Sequence, residues 1–172
     1  MIRKATEKDI KAVMEIYSDI HTLEEQGVTS IGWIRDIYPT EETAGQSQQK
    51  GELFVEEEDG KIVGAAIINQ QQVDSYKNAR WKYDVSEQEV MVLHTLVISP
   101  KASGKGYGKK FVNFYEQYAL SNNCHYLRMD TNRKNHRARE MYKKLGYDEI
   151  GMVPCVFNGI EGVQLVLLEK AL

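Results

Sequence analysis

Residues 89–130 constrain the fold more than any other part of the chain. Glu89–Ser99 is an apolar run of strand length, Gly106–Asn122 carries Phe111, Val112, Tyr115, Tyr118 and Ala119 at helical spacing, and Tyr126–Asp130 is a second strand. Strand, helix and strand in that order return the chain through a right-handed crossover, so the two strands lie parallel in one sheet. At the first junction, "VISPKASGKGYGKKF" (Val97–Phe111) alternates Gly104, Gly106 and Gly108 with other residues. N–H groups in a first helical turn lack internal partners, the dipole adds positive charge, and glycine lets backbone approach a ligand closely. The junction therefore reads as an anion site for a phosphate-bearing ligand, with charge added by Lys105, Lys109 and Lys110. The pattern is neither a P-loop, which needs Lys-Ser/Thr at its end, nor G-x-G-x-x-G, because Lys109 stands at the last glycine. Taken alone, the stretch is also compatible with a plain flexible turn.

The flanking sequence makes the sheet mixed. Ile2–Lys4 reads as a strand, and Thr6 to Asp9 as a capping box opening a helix that runs to about Ile20 on Ile10, Val13, Met14 and Tyr17. Residues 21–32 read as a loop, Ile34–Ile37 as a short helix stopped by Pro39, and "TEETAGQSQQK" as a helix capped by Thr40. Glu52–Glu57 and Lys61–Asn69 flank "EDG" as an antiparallel hairpin. A long polar stretch, 70–85, holds Tyr76, Trp81 and Tyr83. Asn135–Leu145 is a helix closed by Gly146, and Tyr147–Met152 and Val163–Glu169 are the last strands, with Gly159 and Gly162 in the turn between them. The expectation is one α/β (α+β) domain over residues 1–172.

Composition removes several function classes. A net charge of −3 exerts no global pull on nucleic acid, so any anion site is local. The longest apolar run, near Val163–Leu168, is far short of a membrane span, and the charged start has no signal-peptide core, so a cytoplasmic location without membrane partners is expected. Cys124 and Cys155 form no disulfide framework and read as thiols buried in a reducing compartment. Among His21, His94, His125 and His136 no pair has metal-ligand spacing, so no metal is expected. Cys124 and His125 would point to opposite faces of a strand, which is wrong for a nucleophile and its base.

Two motifs carry a family resemblance. "SGKGYG" resembles the Q/R-x-x-G-x-G/A signature of the GCN5-related N-acetyltransferase (GNAT) family. Thirty residues on, "NHRAREMYKKLGY" resembles its second signature, N-x-x-A-x-x-x-Y-x-x-x-G-F/Y, through Asn135, Ala138, Tyr142, Gly146 and Tyr147. "IRKATEKDI" is similar to a typical start of such a chain, so the resemblance covers essentially the full length. One departure stands out: Ser103 occupies the position usually held by Gln or Arg.

The resemblance implies a mostly antiparallel central sheet with a splayed parallel pair and helices on both faces. It implies acetyl-CoA as cosubstrate, its pyrophosphate on Ser103, Gly104, Lys105, Gly106, Tyr107, Gly108 and Lys109, and its pantetheine arm along Leu96, Val97 and Ile98, where an N–H near Leu96 polarises the acetyl carbonyl. Asn135 would bond the arm or the diphosphate, cap its helix, or both; Ala138 would be small for close approach. Tyr142 would donate a proton to the departing thiolate; read without the family it is a core aromatic. His94 is the candidate base for the attacking amine, on a face expected to hold Val92, His94, Leu96 and Ile98. "LHTLVIS" is similar to the matching strand of arylalkylamine N-acetyltransferases. A buried structural histidine, with Glu24, Glu25 or Glu89 acting through water, is the alternative. Glu24, Glu25, Trp33, Tyr38, Tyr76, Trp81 and Tyr83 suit a cationic amine or ordinary packing equally. The implied function is acetyl transfer to a primary amine of a small molecule or peptide by direct attack in a ternary complex. The alternatives are another acyl donor, or a non-catalytic CoA-binding sensor or regulatory module. A homodimer is left open.

Overall fold

Seven strands build one sheet around the parallel pair. The computed structural model describes residues 1–172, the side chain of Asn78 excepted. The strands are β1 (Ile2–Lys4), β2 (Leu53–Glu58), β3 (Lys61–Asn69), β4 (Val90–Ile98), β5 (Tyr126–Asn132), β6 (Asp148–Phe157) and β7 (Ile160–Ala171). The helices are α1 (Ile10–Glu25), α2 (Glu41–Gln49), α3 (Tyr107–Ser121) and α4 (His136–Lys144). Sheet order is β1-β2-β3-β4-β5-β7-β6, and β4–β5 is its one parallel pairing.

Alternation along the strands divides the core. On one face Met91, Leu93, Leu127 and Met129 pack against Phe111, Val112 and Tyr115 of α3 and Tyr142 of α4. On the other, Val55, Ala65, Ile67 and Val97 pack against Val13, Ile16, Tyr17 and Ile20 of α1. Residues 70–89 cover the rest of that second face, where Tyr76 is buried with Val90, Val92, Leu165 and Leu167.

Most expected elements are present, and the exceptions have physical causes. α1 runs past Ile20 to Glu25, because buried His21 donates through Nε2 to the Tyr38 carbonyl at 3.0 Å and so packs as a helix residue. Ile34–Ile37 is a turn closed by an Ile34–Tyr38 bridge, not a helix. β6 and β7 form a continuous hairpin through Asn158 (φ 47°) and Gly159 (φ 89°), so Gly162 lies inside β7 and Cys155 on β6.

β4 carries the feature that shapes the site. Its pairing with β3 steps from Ile67–His94 to Ala65–Val97, so Thr95 and Leu96 together oppose Ala66. This is a β-bulge, and Thr95 takes φ 51° to make it, an unusual conformation for a β-branched residue. The extra residue inverts the alternation. Leu96 and Ile98 join Met91 and Leu93 on the α3 face, leaving Val92 and His94 opposite. The expected single face of Val92, His94, Leu96 and Ile98 is therefore broken at Thr95.

Candidate active site

β4 and β5 pair from Val90–Tyr126 to Leu93–Met129 and then separate. Past that point, Thr95–Ile98 and Asp130–Asn132 face each other across a gap. The gap widens into a cavity of about 830 Å³ that reaches from the glycine loop to an aromatic wall. Because the opening interrupts the sheet, residues from both faces meet in it.

The glycine loop forms one end. Gly104 and Gly106 both have φ 81°, and a Cβ on either would meet nothing within 4 Å. The positive φ excludes most side chains, and the clear space leaves the backbone open to a ligand. Gly106 is the N-cap of α3, so the first-turn amides point outward without a capping side chain. Gly108 differs: a Cβ there would lie 3.2 Å from Met141 Sδ, so this glycine serves α3–α4 packing.

Positive charge on the cavity wall comes from Lys109, Lys134 and Arg137. Lys110, expected to contribute, turns away: its Nζ lies 2.7 Å from Glu56 Oε1, a carboxylate with no exposure of its own. Lys105 is off the wall as well. The other residues expected to hold acetyl-CoA, namely Leu96, Val97, Ile98, Ser103, Gly104, Gly106, Tyr107, Gly108, Lys109, Asn135 and Ala138, all line the cavity. Asn135 is the N-cap of α4, its Oδ1 accepting from Ala138 N at 3.2 Å.

Tyr142 reaches the cavity from α4 and is buried against Tyr147, ring centroids 5.9 Å apart. Its hydroxyl has no hydrogen-bond partner among the described residues. Burial, with the Asp130 carboxylate nearby, raises its pKa well above the ordinary tyrosine value, so it stays protonated at neutral pH. His94 does not reach the cavity. Its Nε2 lies 2.9 Å from Asn69 Oδ1, Asn69 in turn donates to Glu52, and burial holds the imidazole down at about 4.

The residues expected to shape an acceptor pocket divide. Trp33 and Tyr38 line the cavity with Phe157, edge to face at centroid distances of 6.0 and 5.2 Å from Tyr38. The Tyr38 hydroxyl bonds Thr95 Oγ1, fixing the wall to the bulge. The Glu24 carboxylate is spent on the amides of Ile31 and Gly32, and Glu25 pairs with Arg35 at the surface. Gly32, at φ 84°, lies against the Asn132 side chain of β5. Trp81 and Tyr83 line a separate recess with Arg128, whose guanidinium sits 4.2 Å from the Trp81 ring.

Asp130 was not among the expected site residues, yet it lines the cavity, accepts from the Tyr76 hydroxyl at 2.8 Å, and is pushed up to about 6 by burial. A signal existed. Arg128 and Asp130 alternate with Leu127 and Met129 in a central strand, which puts two charges on a face that ought to be buried.

Comparison with known proteins bears on this geometry. Residues 10–147 match the family described as "Acetyltransferase (GNAT) family". The uncharacterized N-acetyltransferase YhfO of Bacillus subtilis is 32% identical over 65 residues, covering 38% of this chain and 44% of that protein. The chain thus spans less than half the length of the curated relatives it matches. An acetyltransferase of the GNAT family from Streptococcus agalactiae superposes with a TM-score of 0.82 at 24% identity, over 100% of this chain and 95% of that one. The structure of yncA from Salmonella typhimurium with its cofactor acetyl-CoA gives 0.72 at 18% identity, over 99% and 92%. No helix among the described residues is long and apolar enough to cross a membrane.

Proposed function

The chain belongs to the acetyltransferase (GNAT) family, and from that premise we propose that it is an N-acetyltransferase that passes an acetyl group from acetyl-CoA directly to a primary amine. The observation that carries this reading is the continuity of one cavity from open-faced glycines, through a gap in the sheet, to a protonated tyrosine and an aromatic wall. A phosphate-tailed, elongated thioester with an amine at its far end fits that sequence of environments.

The residues present suit such a cosubstrate. Amides of the Gly104–Lys109 loop and the charges of Lys109, Lys134 and Arg137 would hold a diphosphate. Arg137 would also make good the missing long side chain at Ser103, because its Nη2 donates to Ser103 Oγ at 2.8 Å and so holds a guanidinium at the loop. β4 past Leu93 has β3 on one side only, leaving an edge for main-chain pairing by the pantetheine arm. The bulge takes the Thr95–Leu96 peptide out of the ladder, which frees a main-chain donor for the acetyl oxygen. When bound, acetyl-CoA supplies an activated acyl group; Tyr142 holds the proton that the sulfur needs as it leaves.

Thiol release from acetyl-CoA over a panel of amines tests the proposal, with acetyl-CoA binding measured in parallel. Turnover with at least one amine is expected. Tight binding without turnover on any amine would make the chain a CoA-binding module, and faster turnover with a longer acyl donor would reassign the acyl group.

A further inference from the structure

Asp130 is the one carboxylate on the cavity wall among the described residues. It follows the last β5 residue paired to β4, where the two strands part, and is partly buried there. Its Oδ2 is held by the Tyr76 hydroxyl, while no donor among the described residues reaches Oδ1, and Oδ1 is not sealed from the cavity. Burial disfavours a charge that has only one neutral hydrogen bond, so this oxygen lacks the partner a carboxylate ordinarily has. Arg128, on the same strand face, cannot supply one, being committed to Glu169, Gln72 and the Trp81 ring.

Away from the glycine loop the cavity wall includes Trp33, Tyr38, Phe157, Val163 and Leu165, with the uncharged Thr95, Thr131 and Asn132 as polar members. The cavity's lysines and arginine belong to the glycine loop side, on α3, the β5–α4 turn and α4. We propose that Asp130 Oδ1 receives the acceptor's ammonium group and takes its proton, and that the acceptor is a primary monoamine carried on an apolar body. One carboxylate neutralises one ammonium. A second ammonium, as in a polyamine, would lie uncompensated against aromatic and aliphatic side chains. The proton step balances simply: an N–H bond breaks, its electron pair remains on nitrogen as the attacking lone pair, and the proton forms an O–H bond on Asp130, from which it passes to solvent on turnover.

The titratable groups facing Asp130 are Tyr76 from the 70–89 segment, Tyr38 from the α1–α2 connection, Tyr142 from α4 and Cys155 from β6, with Arg128 on its own strand. Burial raises all three tyrosines and the thiol, leaving Asp130 as the member of this set that titrates just below neutrality. Its carboxylate is therefore ionised at neutral pH and basic enough to accept a proton. His94, the group the sequence offered for this step, is off the wall and engaged by Asn69.

The inference rests on the transferase reading, and the test separates the two. Phenethylamine, spermidine and an alanine-initiated peptide are compared as acceptors and, by calorimetry with CoA present, as ligands of the full chain. Expected are a kcat/KM for phenethylamine at least about tenfold above that for spermidine, falling as pH drops through about 6. Asp130→Asn keeps an acceptor for Tyr76; it should bind acetyl-CoA as the wild type does, bind phenethylamine about tenfold more weakly, and lose about 100-fold in kcat/KM. If that variant fails to fold, the carboxyl carbon of Asp130 in the wild type, followed by NMR, supplies the answer: its titration near 6 should be displaced by phenethylamine and not by spermidine. Acetyl-CoA binding without turnover would defeat the transferase reading alone, since the amine-binding comparison still reports on Asp130. Equal amine binding and turnover by Asp130→Asn, loss of turnover in His94→Gln instead, or preference for spermidine or the peptide would overturn the inference.

Discussion

Arg137 Nη2 donates to Ser103 Oγ at 2.8 Å, tying the first turn of α4 to the glycine loop that opens α3. The bond joins the two family motifs at their weakest match. If Arg137 supplies the charge that a longer side chain at position 103 would give, Arg137→Ala should weaken acetyl-CoA binding by about tenfold, the worth of one charge-assisted hydrogen bond. Ser103→Ala, which removes only the tether, should cost less. Calorimetric titration of the two variants checks the ranking, and equal affinities for wild type and Arg137→Ala would remove the role.

Gly106→Val should cost the fold about 1–2 kcal/mol, because valine is forced to φ 81°. The same side chain projects into the clear space before the loop, so acetyl-CoA affinity should fall at least about 100-fold while the chain still melts cooperatively. Thermal melts and calorimetry report the two effects separately; undiminished affinity would mean that the loop is not the phosphate cradle.

Tyr142→Phe removes a hydroxyl with no partner among the described residues, so stability should hold or rise slightly. The kcat should drop by about 100-fold with acetyl-CoA affinity unchanged, the pattern of a proton donor used only during reaction. Steady-state kinetics with melting curves decide it, and an intact kcat would return Tyr142 to the status of a core aromatic.

His94 and Asp130 should give opposite slopes of stability against pH. His94 is depressed from 6.5 to about 4, so the unfolded chain binds more protons in that window and stability rises with pH. Asp130 is raised from 3.8 to about 6, so the folded chain binds more protons there and stability falls with pH. In the wild type the two offset. His94→Gln removes the first, and its stability should then decline relative to wild type as pH rises from 4 to 6.5, by at most about 1.4 kcal/mol per pH unit. Urea unfolding near pH 5 and pH 7 measures the difference, and parallel profiles would show that His94 is not held neutral by burial.

Local signals carried much of the architecture. The crossover from β4 through α3 to β5 was legible because apolar periodicity switches from strand to helix and back within one short stretch. The Asp59–Gly60 hairpin and the Thr40 cap were legible for similar reasons, with φ of 49° and 72° at the turn and a 3.4 Å bond from Thr43 N at the cap. Asn158–Gly159 was an equally strong hairpin signal and marks the β6–β7 turn that the wider spacing of Gly159 and Gly162 obscured.

What the sequence determined by itself was the order of elements, the parallel central pair and the open-faced glycine loop, because each depends on residues that are neighbours in the chain. Tertiary structure alone decided that Thr95 adopts a left-handed bulge, that Lys110 and Glu24 are spent elsewhere, and that Asp130 and Tyr142 share one cavity. Those outcomes depend on partners far along the chain: the register against β3, buried Glu56 seeking a cation, and the parting of β4 from β5. No periodicity within a single segment encodes which distant group will satisfy a buried charge or break a strand's alternation.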